Sequence, residues 1–218
     1  MLLPEITYTL LGDGTSDRAL LSIIDWTLRQ NFPNLVAQRQ WADLSRLPHP
    51  PPMNRLHERM QEALTLYPCH YLFVHRDAER QSVEDRQREI AIAWQNVAKK
   101  SEQAVSIIPV RMTEAWLLID EQAIRLAAGN PSSKQNIALP SVPVRTLEAL
   151  PDAKQKLQEL LREASGLSGR RLQKFNVSRA IQLVAENIQD YSSLRLLSAF
   201  TSFEESVKSV MSTQIQPV

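Results

Sequence analysis

Short apolar runs alternate with longer amphipathic stretches through the first two thirds of the chain. Strand-like runs cover residues 6–11, 35–41, 71–74 and 104–110. Between and after them, apolar residues recur at helical spacing over residues 17–30, 54–66, 82–100 and 114–128. Because strands that alternate with helices pair in parallel, this pattern predicts an α/β fold with a mostly parallel sheet of about four strands.

The last third of the chain has a different pattern. Residues 130–145 lose periodicity and contain Pro131, Pro140 and Pro143, which indicates a linker or an irregular excursion. Helical spacing returns at residues 152–165, 178–187 and 202–212. We therefore predict an α/β domain over residues 1–129, followed by a linker and a helical extension, residues 130–218, that packs on it.

The composition is that of an ordinary globular protein and narrows the classes of function. Of the 218 residues, 43% are hydrophobic and 22% are charged, with a formal net charge of +1, so any nucleic-acid site must be local. The single cysteine, Cys69, excludes an intrachain disulfide and a cysteine-based zinc site. The sequence shows no signal peptide and no run of roughly 20 apolar residues, which predicts a cytoplasmic protein that does not enter a membrane.

Candidate chemistry lies where the apolar runs stop. The first strand continues into residues 12–17, GDGTSD, in which two of the chain's five glycines flank Asp13. Glycine permits close approach of the backbone, so this turn can expose amides to an anion at the start of the next helix. A tight strand-to-helix turn with Ser16 or Asp17 as the helix cap accounts for the same residues without a ligand.

The third strand ends in a second acidic segment. Asp77 and Glu79 alternate along an extended chain and therefore point the same way, so both carboxylates can face one ion. The alternative is a solvated loop in which Arg76 and Arg80 pair with the acids. Open α/β sheets bind ligands at the carboxyl ends of their strands, which favours the ion site.

Two further polar residues lie close to these segments in the sequence. Glu114 opens the helix that follows the fourth strand, where the helix dipole or capping with Thr113 is a sufficient structural explanation. His75 lies two residues before Asp77 and can neighbour a metal ion, although a lone histidine more often belongs to the packing or the surface. Neither residue identifies a site by itself.

In combination, these segments resemble the motifs of the TOPRIM domain, which occurs in topoisomerases, primases and overcoming-lysogenization-defect nucleases. Residues 13–17, DGTSD, resemble its Glu-Gly-x-Thr-Asp signature, and residues 77–80, DAER, resemble its later Asp-x-Asp motif. Residues 114–120, EAWLLID, are similar to a marker of an uncharacterised bacterial TOPRIM-like family. The resemblance covers roughly residues 5–128, with Asp13 in place of the glutamate and Glu79 in place of the second aspartate.

The resemblance implies metal-dependent phosphodiester chemistry on nucleic acid, as in a nuclease or a nucleotidyl-transfer enzyme, with bacterial defence as a setting. Asp77 and Glu79 would hold Mg²⁺ or Mn²⁺, Asp13 would complete the metal shell or move a proton, and Asp17 and Glu114 are further candidate ligands. Two alternatives stay open. One, favoured if the shorter Asp13 cannot replace glutamate, is a non-catalytic TOPRIM-like module that binds nucleic acid or a protein partner. The other is a nucleotide- or phosphate-binding protein that uses the turn at residues 12–17, although this turn lacks the Gly-x-Gly-x-x-Gly pattern and the lysine of a P-loop.

Cationic residues for a phosphate backbone are clustered before the last helices. Residues 169–179 contain four positive charges and no acid, and Phe175 is available for stacking. The predicted contacts are Arg170, Arg171 and Lys174, together with Arg111, which follows the fourth strand and is nearer the predicted chemistry. A solvated basic loop ahead of a helix is the other interpretation of this stretch.

Overall fold

A computed structural model describes residues 4–78, 81–98, 103–134, 137, 139 and 143–215 of the chain, and these residues include a β-sheet. Its strands are β1 (Glu5–Leu11), β2 (Val36–Trp41), β3 (Tyr71–His75) and β4 (Gln103–Ile107). They form one sheet in the order β2-β1-β3-β4, and every neighbouring pair is parallel. The predicted α/β fold with a parallel sheet of about four strands is therefore confirmed.

Helices flank the sheet and form most of the C-terminal third. Within the described residues they are α1 (Leu20–Asn31), α2 (Leu56–Leu66), α3 (Val83–Gln95), α4 (Glu121–Ala127), α5 (Ala153–Ser165), α6 (Gly169–Gln173), α7 (Val177–Asn187) and α8 (Ser198–Ile215). Short 3-10 segments, Thr15–Ala19 and Thr113–Leu117, occupy the connections that leave β1 and β4. None of the described helices combines the length and the apolar character that crossing a bilayer requires.

Each face of the sheet has its own hydrophobic core, because successive strand side chains point to opposite faces. On one face Phe73 packs edge-on against Tyr8, with ring centroids 5.2 Å apart, and against Phe203 of α8, at 6.3 Å. On the other face Leu72 and Val74 belong to a smaller core that contains apolar residues of α2 and α3. The contact with Phe203 shows that the C-terminal helix packs directly on the sheet.

The division into two units at residue 130 stays a prediction. The larger core contains residues from β1 and from α5, α7 and α8, so apolar packing continues across the predicted boundary. Positions 135, 136, 138 and 140–142 of the predicted linker lie outside the described residues. The C-terminal helices are therefore described by their packing on the sheet rather than as a separate body.

The single helix predicted over residues 114–128 is wrong, because the structure divides it into two elements. The 3-10 segment Thr113–Leu117 comes first, and α4 begins only after Asp120. The Asp120 carboxylate accepts a 2.9 Å hydrogen bond from the backbone amide of Ala123 and so caps α4. Aspartate competes for backbone donors in this way, which explains why it starts a new helix instead of continuing an existing one.

Candidate functional site at the carboxyl edge of the sheet

The carboxyl ends of β1 and β3 are the point at which the strand order reverses. The chain passes from β1 to β2 on one side and then crosses to β3 on the other side of β1. Open α/β sheets form their ligand crevices at such switch points. The acidic turn that follows β1 and the acidic segment that follows β3 both leave the sheet here, so the topology brings the first two motifs to one edge.

His75, the last residue of β3, contacts the first two motifs and the residue that precedes the third. Its fully buried ring places Nδ1 3.1 Å from Oδ2 of Asp17 and Nε2 3.1 Å from Oδ1 of Asp77. Nε2 also lies 3.2 Å from the hydroxyl oxygen of Thr113, the residue before Glu114. The contact with Asp17 is a close ion pair rather than an aligned hydrogen bond, since Nδ1 has no hydrogen-bond partner among the described residues. One ring therefore lies between the three segments that the sequence singled out.

The charges around His75 keep it protonated. Burial lowers the pKa of His75, but the close contact with Asp17, the hydrogen bond with Asp77 and the charges of both carboxylates outweigh burial and raise the pKa to about 10. Burial also acts to raise the pKa of Asp17, yet the contact with His75 and two backbone amides bring that pKa below its usual value. At neutral pH the site therefore contains an imidazolium between two carboxylates.

Asp17 also fixes the turn that follows β1. Its Oδ2 accepts 2.8 Å hydrogen bonds from the backbone amides of Asp13 and Gly14. Two amides that were expected to be available to an anion are therefore directed at a protein carboxylate. A Cβ on Gly12 would lie 2.8 Å from the Cβ of Asp17 and 2.8 Å from Cη2 of Trp41, so close approach explains this glycine.

The two glycines of the turn provide a matched pair of tests. Gly12→Ala is expected to lower the free energy of unfolding by about 1–3 kcal/mol, because the added methyl group overlaps Trp41 and Asp17. A Cβ on Gly14 would meet nothing closer than the Ser16 hydroxyl at 4.0 Å, so Gly14→Ala should stay within about 0.5 kcal/mol of wild type. Urea unfolding of both variants measures the difference, and equal losses would contradict the packing at Gly12.

Asp13 is engaged by a protein cation. Its Oδ1 accepts a 2.8 Å hydrogen bond from Nη1 of Arg76, and Nη2 of the same guanidinium lies 3.1 Å from Glu89. Burial raises the pKa of Asp13, and the Arg76 charge and hydrogen bond partly offset that rise. The role of Asp13 as a metal ligand or proton carrier stays a prediction. A metal ion or a proton at this carboxylate would compete with its ion pair to Arg76.

Glu114 is a buried acid with an unused oxygen. Only 4% of the residue is exposed, and Oε1 accepts no hydrogen bond among the described residues. The ammonium group of Lys154 lies 3.8 Å from Oε1, too far for a hydrogen bond. Burial raises the pKa of Glu114, Lys154 lowers it, and the charges of Asp77 and Asp17 raise it further. The three acids therefore act on one another electrostatically.

A divalent metal fits part of this donor set. No group of three or more His, Cys, Asp or Glu side chains is arranged to hold a metal ion in the part of the chain that the structure describes. Glu79, a predicted ligand, lies outside the described residues. Mg²⁺ needs only one or two protein carboxylates because water and substrate phosphate fill its other positions. The partly exposed Asp77 and the unbonded oxygen of Glu114 satisfy that smaller requirement.

The predicted phosphate-binding residues lie on the surface of the described chain. Arg111 is exposed just beyond β4, at the edge that carries the acids. Arg170 and Arg171 are exposed on α6, with Lys174 directly after it. The next helix, α7, packs against the Thr15–Ala19 segment. The helix that follows the basic segment in the sequence therefore packs against the first acidic motif.

Sequence reasoning underestimated His75 and missed Arg59. His75 could have been favoured by its position two residues before Asp77 at a strand end, but its contact with Asp17 joins residues that α1, β2 and α2 separate in the sequence. Arg59 lies on α2 with 7% of the residue exposed, and its Nη2 donates a 2.7 Å hydrogen bond to the carbonyl oxygen of Gly12. Its helical position shows only that one face of α2 is buried, so the sequence carries no signal for this contact.

Comparisons of the chain with protein-family models, with curated proteins and with solved structures gave no match. The TOPRIM-like interpretation therefore depends on the short motifs alone. The geometry of the site is a parallel sheet with a switch point, at which acids from two segments and a threonine from a third surround one buried histidine.

Proposed function

We propose that the protein carries out metal-dependent phosphodiester chemistry on nucleic acid, as a nuclease-like enzyme, at the carboxyl edge of β1 and β3. The observation that supports this most is the contact of His75 with Asp17, Asp77 and Thr113, which come from three separate segments. A buried network of this kind at a switch point is costly to build unless it orients groups for a ligand.

Asp77 and Glu114 are the described residues that would hold Mg²⁺ or Mn²⁺, together with the predicted ligand Glu79. A cation bound there would polarise the scissile phosphate and make a coordinated water a better nucleophile. His75 fixes the orientation of Asp77 through Nε2, and Asp17 holds the other ring nitrogen, so the ring cannot turn away.

Substrate contacts in the proposal come from the exposed cations. Of these cations, Arg111 lies just beyond β4, at the edge of the sheet that carries the acids. Arg170, Arg171 and Lys174 would bind the phosphate backbone further from the chemistry. Asp13 would join the metal shell or move a proton through Oδ2, or through Oδ1 by releasing Arg76, since Oδ1 already accepts a hydrogen bond from that side chain. A released Arg76 would then be available to a phosphate oxygen.

A non-catalytic module that binds nucleic acid or a protein partner is the second candidate. The charge balance of the site favours it, because Asp13 is paired with Arg76 while Asp17 and Asp77 share the cationic His75. Carboxylates that are already neutralised by protein cations gain less from binding a metal ion. This candidate predicts nucleic-acid binding without cleavage.

Cleavage of labelled single-stranded and duplex oligonucleotides separates the two candidates. With Mg²⁺ or Mn²⁺ we expect cleavage by the wild type, and we expect Asp77→Asn to lower its rate on the order of 100-fold or more without weakening binding measured in EDTA. Asp85→Asn, at an exposed position on α3 where the acid pairs with Arg88, is the matched control and should cleave normally. Binding without cleavage by the wild type would reject the enzyme and favour the module.

A further inference from the structure

A cleft of about 340 Å³ adjoins the acidic site on the side of β2. Its walls include the turn that follows β1, Trp41 at the end of β2, the proline-rich segment 50–53 and Arg59 of α2. This volume lies within the range of small-ligand sites. The proposed metal chemistry uses none of Trp41, Met53 or Arg59, so the cleft needs its own explanation.

Arg59 indicates that the cleft binds an anion. Its guanidinium is buried, Nη2 donates to the Gly12 carbonyl oxygen, and Nε has no hydrogen-bond partner among the described residues. The two acids in the cleft walls are hydrogen-bonded to other arginines, Asp13 to Arg76 at 2.8 Å and Asp43 to Arg46 at 2.8 Å. The charges of Asp13 and Asp17 act on Arg59, but neither carboxylate is paired with it. A buried guanidinium with an unused donor is stabilised by a charged acceptor, and phosphate oxygens suit its fork of N–H groups.

Trp41 supplies a surface on which a base can stack. The residue is partly exposed, lines the cleft, and is held in place where its ring approaches Gly12. Pro50 and Met53 extend the apolar wall. Stacking of bases on aromatic side chains accepts every base and is a principal source of affinity for single strands. An aromatic surface beside a buried arginine is therefore the combination that a nucleotide requires.

We propose that this cleft receives one nucleotide of a single-stranded nucleic acid, with its base against Trp41 and a phosphate at Arg59. The inference rests on the proposed function, because the cleft shares Asp13 with the acidic site and the bound nucleotide would flank the phosphodiester that is cleaved. A paired base must leave its stack to enter such a cleft. The substrate class is therefore a single strand or an unpaired end rather than continuous duplex.

Fluorescence polarisation of a short labelled oligothymidylate, titrated in EDTA at several salt concentrations, tests the cleft without any cleavage. Trp41→Leu is expected to weaken binding about tenfold through lost stacking. Arg59→Gln retains a donor for the Gly12 carbonyl oxygen but removes the charge, so it should weaken binding and lower the salt slope by about one phosphate contact. Trp94→Leu, on α3 and outside the cleft walls, is the matched control and should bind as wild type does.

A second aromatic variant keeps the test decisive if Trp41→Leu does not fold. Trp41→Phe retains a ring and should bind close to wild type, while the quenching of tryptophan fluorescence by the oligonucleotide disappears. Quenching that persists in Trp41→Phe would overturn the proposal, as would wild-type affinity and salt slope in Arg59→Gln. An affinity for a duplex of the same sequence that equals the affinity for the single strand would also overturn the proposal. So would an equal affinity for thymidine monophosphate, because a free nucleotide would then be the occupant.

The same variants distinguish failure of the cleft from failure of the proposed enzyme. If the wild type cleaves and both cleft variants cleave with unchanged KM, the cleft is rejected and the enzyme stands. If both variants bind more weakly while the wild type cleaves no substrate with any metal, the cleft stands and the enzyme is rejected.

Discussion

Replacing His75 with glutamine is expected to lower the free energy of unfolding by about 3–5 kcal/mol at pH 7. The imidazolium lies 3.1 Å from a carboxylate oxygen on each side, and its removal leaves Asp17 and Asp77 as neighbouring anions. Asp17 is buried, so solvent cannot replace the lost partner. Urea unfolding in EDTA measures the loss, and His49→Gln, at an exposed position, should change stability by less than about 0.5 kcal/mol.

The loss in the His75 variant should also depend on pH. The folded-state pKa of His75 is about 10, above the usual value of 6.5, so its stabilising contribution is fully present below pH 6.5 and is lost as the pH rises through 10. Over that window the stability difference between wild type and variant should shrink by up to about 1.4 kcal/mol per pH unit. A difference that stays constant from pH 6 to pH 10 would show that His75 is not the cation described here.

Glu114→Gln is expected to raise stability and lower the rate of cleavage in one change. Burial raises the pKa of Glu114, so above the unfolded-state value its ionised carboxylate opposes folding, increasingly as the pH rises. Removing a buried charge whose Oε1 has no hydrogen bond should stabilise the metal-free protein by about 1–3 kcal/mol at pH 7. Cleavage should fall on the order of 100-fold, because the amide is a poorer ligand for a hard cation.

Thermal unfolding in EDTA and with millimolar Mn²⁺ measures both effects of Glu114→Gln. The wild type should gain stability from the metal, since a ligand that binds only the folded state stabilises it by mass action. In EDTA the Glu114→Gln variant should unfold at a higher temperature than the wild type, and Mn²⁺ should raise that temperature only a little. Glu163→Gln, exposed on α5, should behave like the wild type in both conditions. A Glu114→Gln variant that is less stable in EDTA and still gains from Mn²⁺ would remove Glu114 from the site.

The strands β1 and β3 were predictable because each lies in a largely apolar run that polar residues close, a pattern with a local cause. The order of the strands was not, since nothing in the periodicity specifies that β1 lies between β2 and β3. The division of the predicted helix at residues 114–128 also escaped prediction. Asp120 is compatible with a solvated helix surface, and only its hydrogen bond to the Ala123 amide identifies it as a cap.

Site residues that follow the ends of strands could be predicted from the sequence. Contacts made by a residue on a distant helix, or set by side-chain geometry, could not. Asp77 lies two residues after β3, and Asp17 lies in the short 3-10 segment that leaves β1, so a parallel sheet brings both to one edge. Arg59 reaches the Gly12 carbonyl oxygen across 47 positions of sequence, a contact that depends on how α2 packs on the sheet. The pairing of Asp13 with Arg76 likewise depends on side-chain geometry that a motif does not contain.

Diffraction from crystals soaked in Mn²⁺ is the most direct test of the central claim, that acids at the carboxyl edge of β1 and β3 hold a divalent cation. We expect an anomalous peak in contact with the carboxylates of Asp77 and Glu114, and we expect that peak to be absent from Asp77→Asn crystals soaked in the same way. Wild-type crystals in which Mn²⁺ occupies surface positions and leaves Asp77 and Glu114 without a peak would contradict the account.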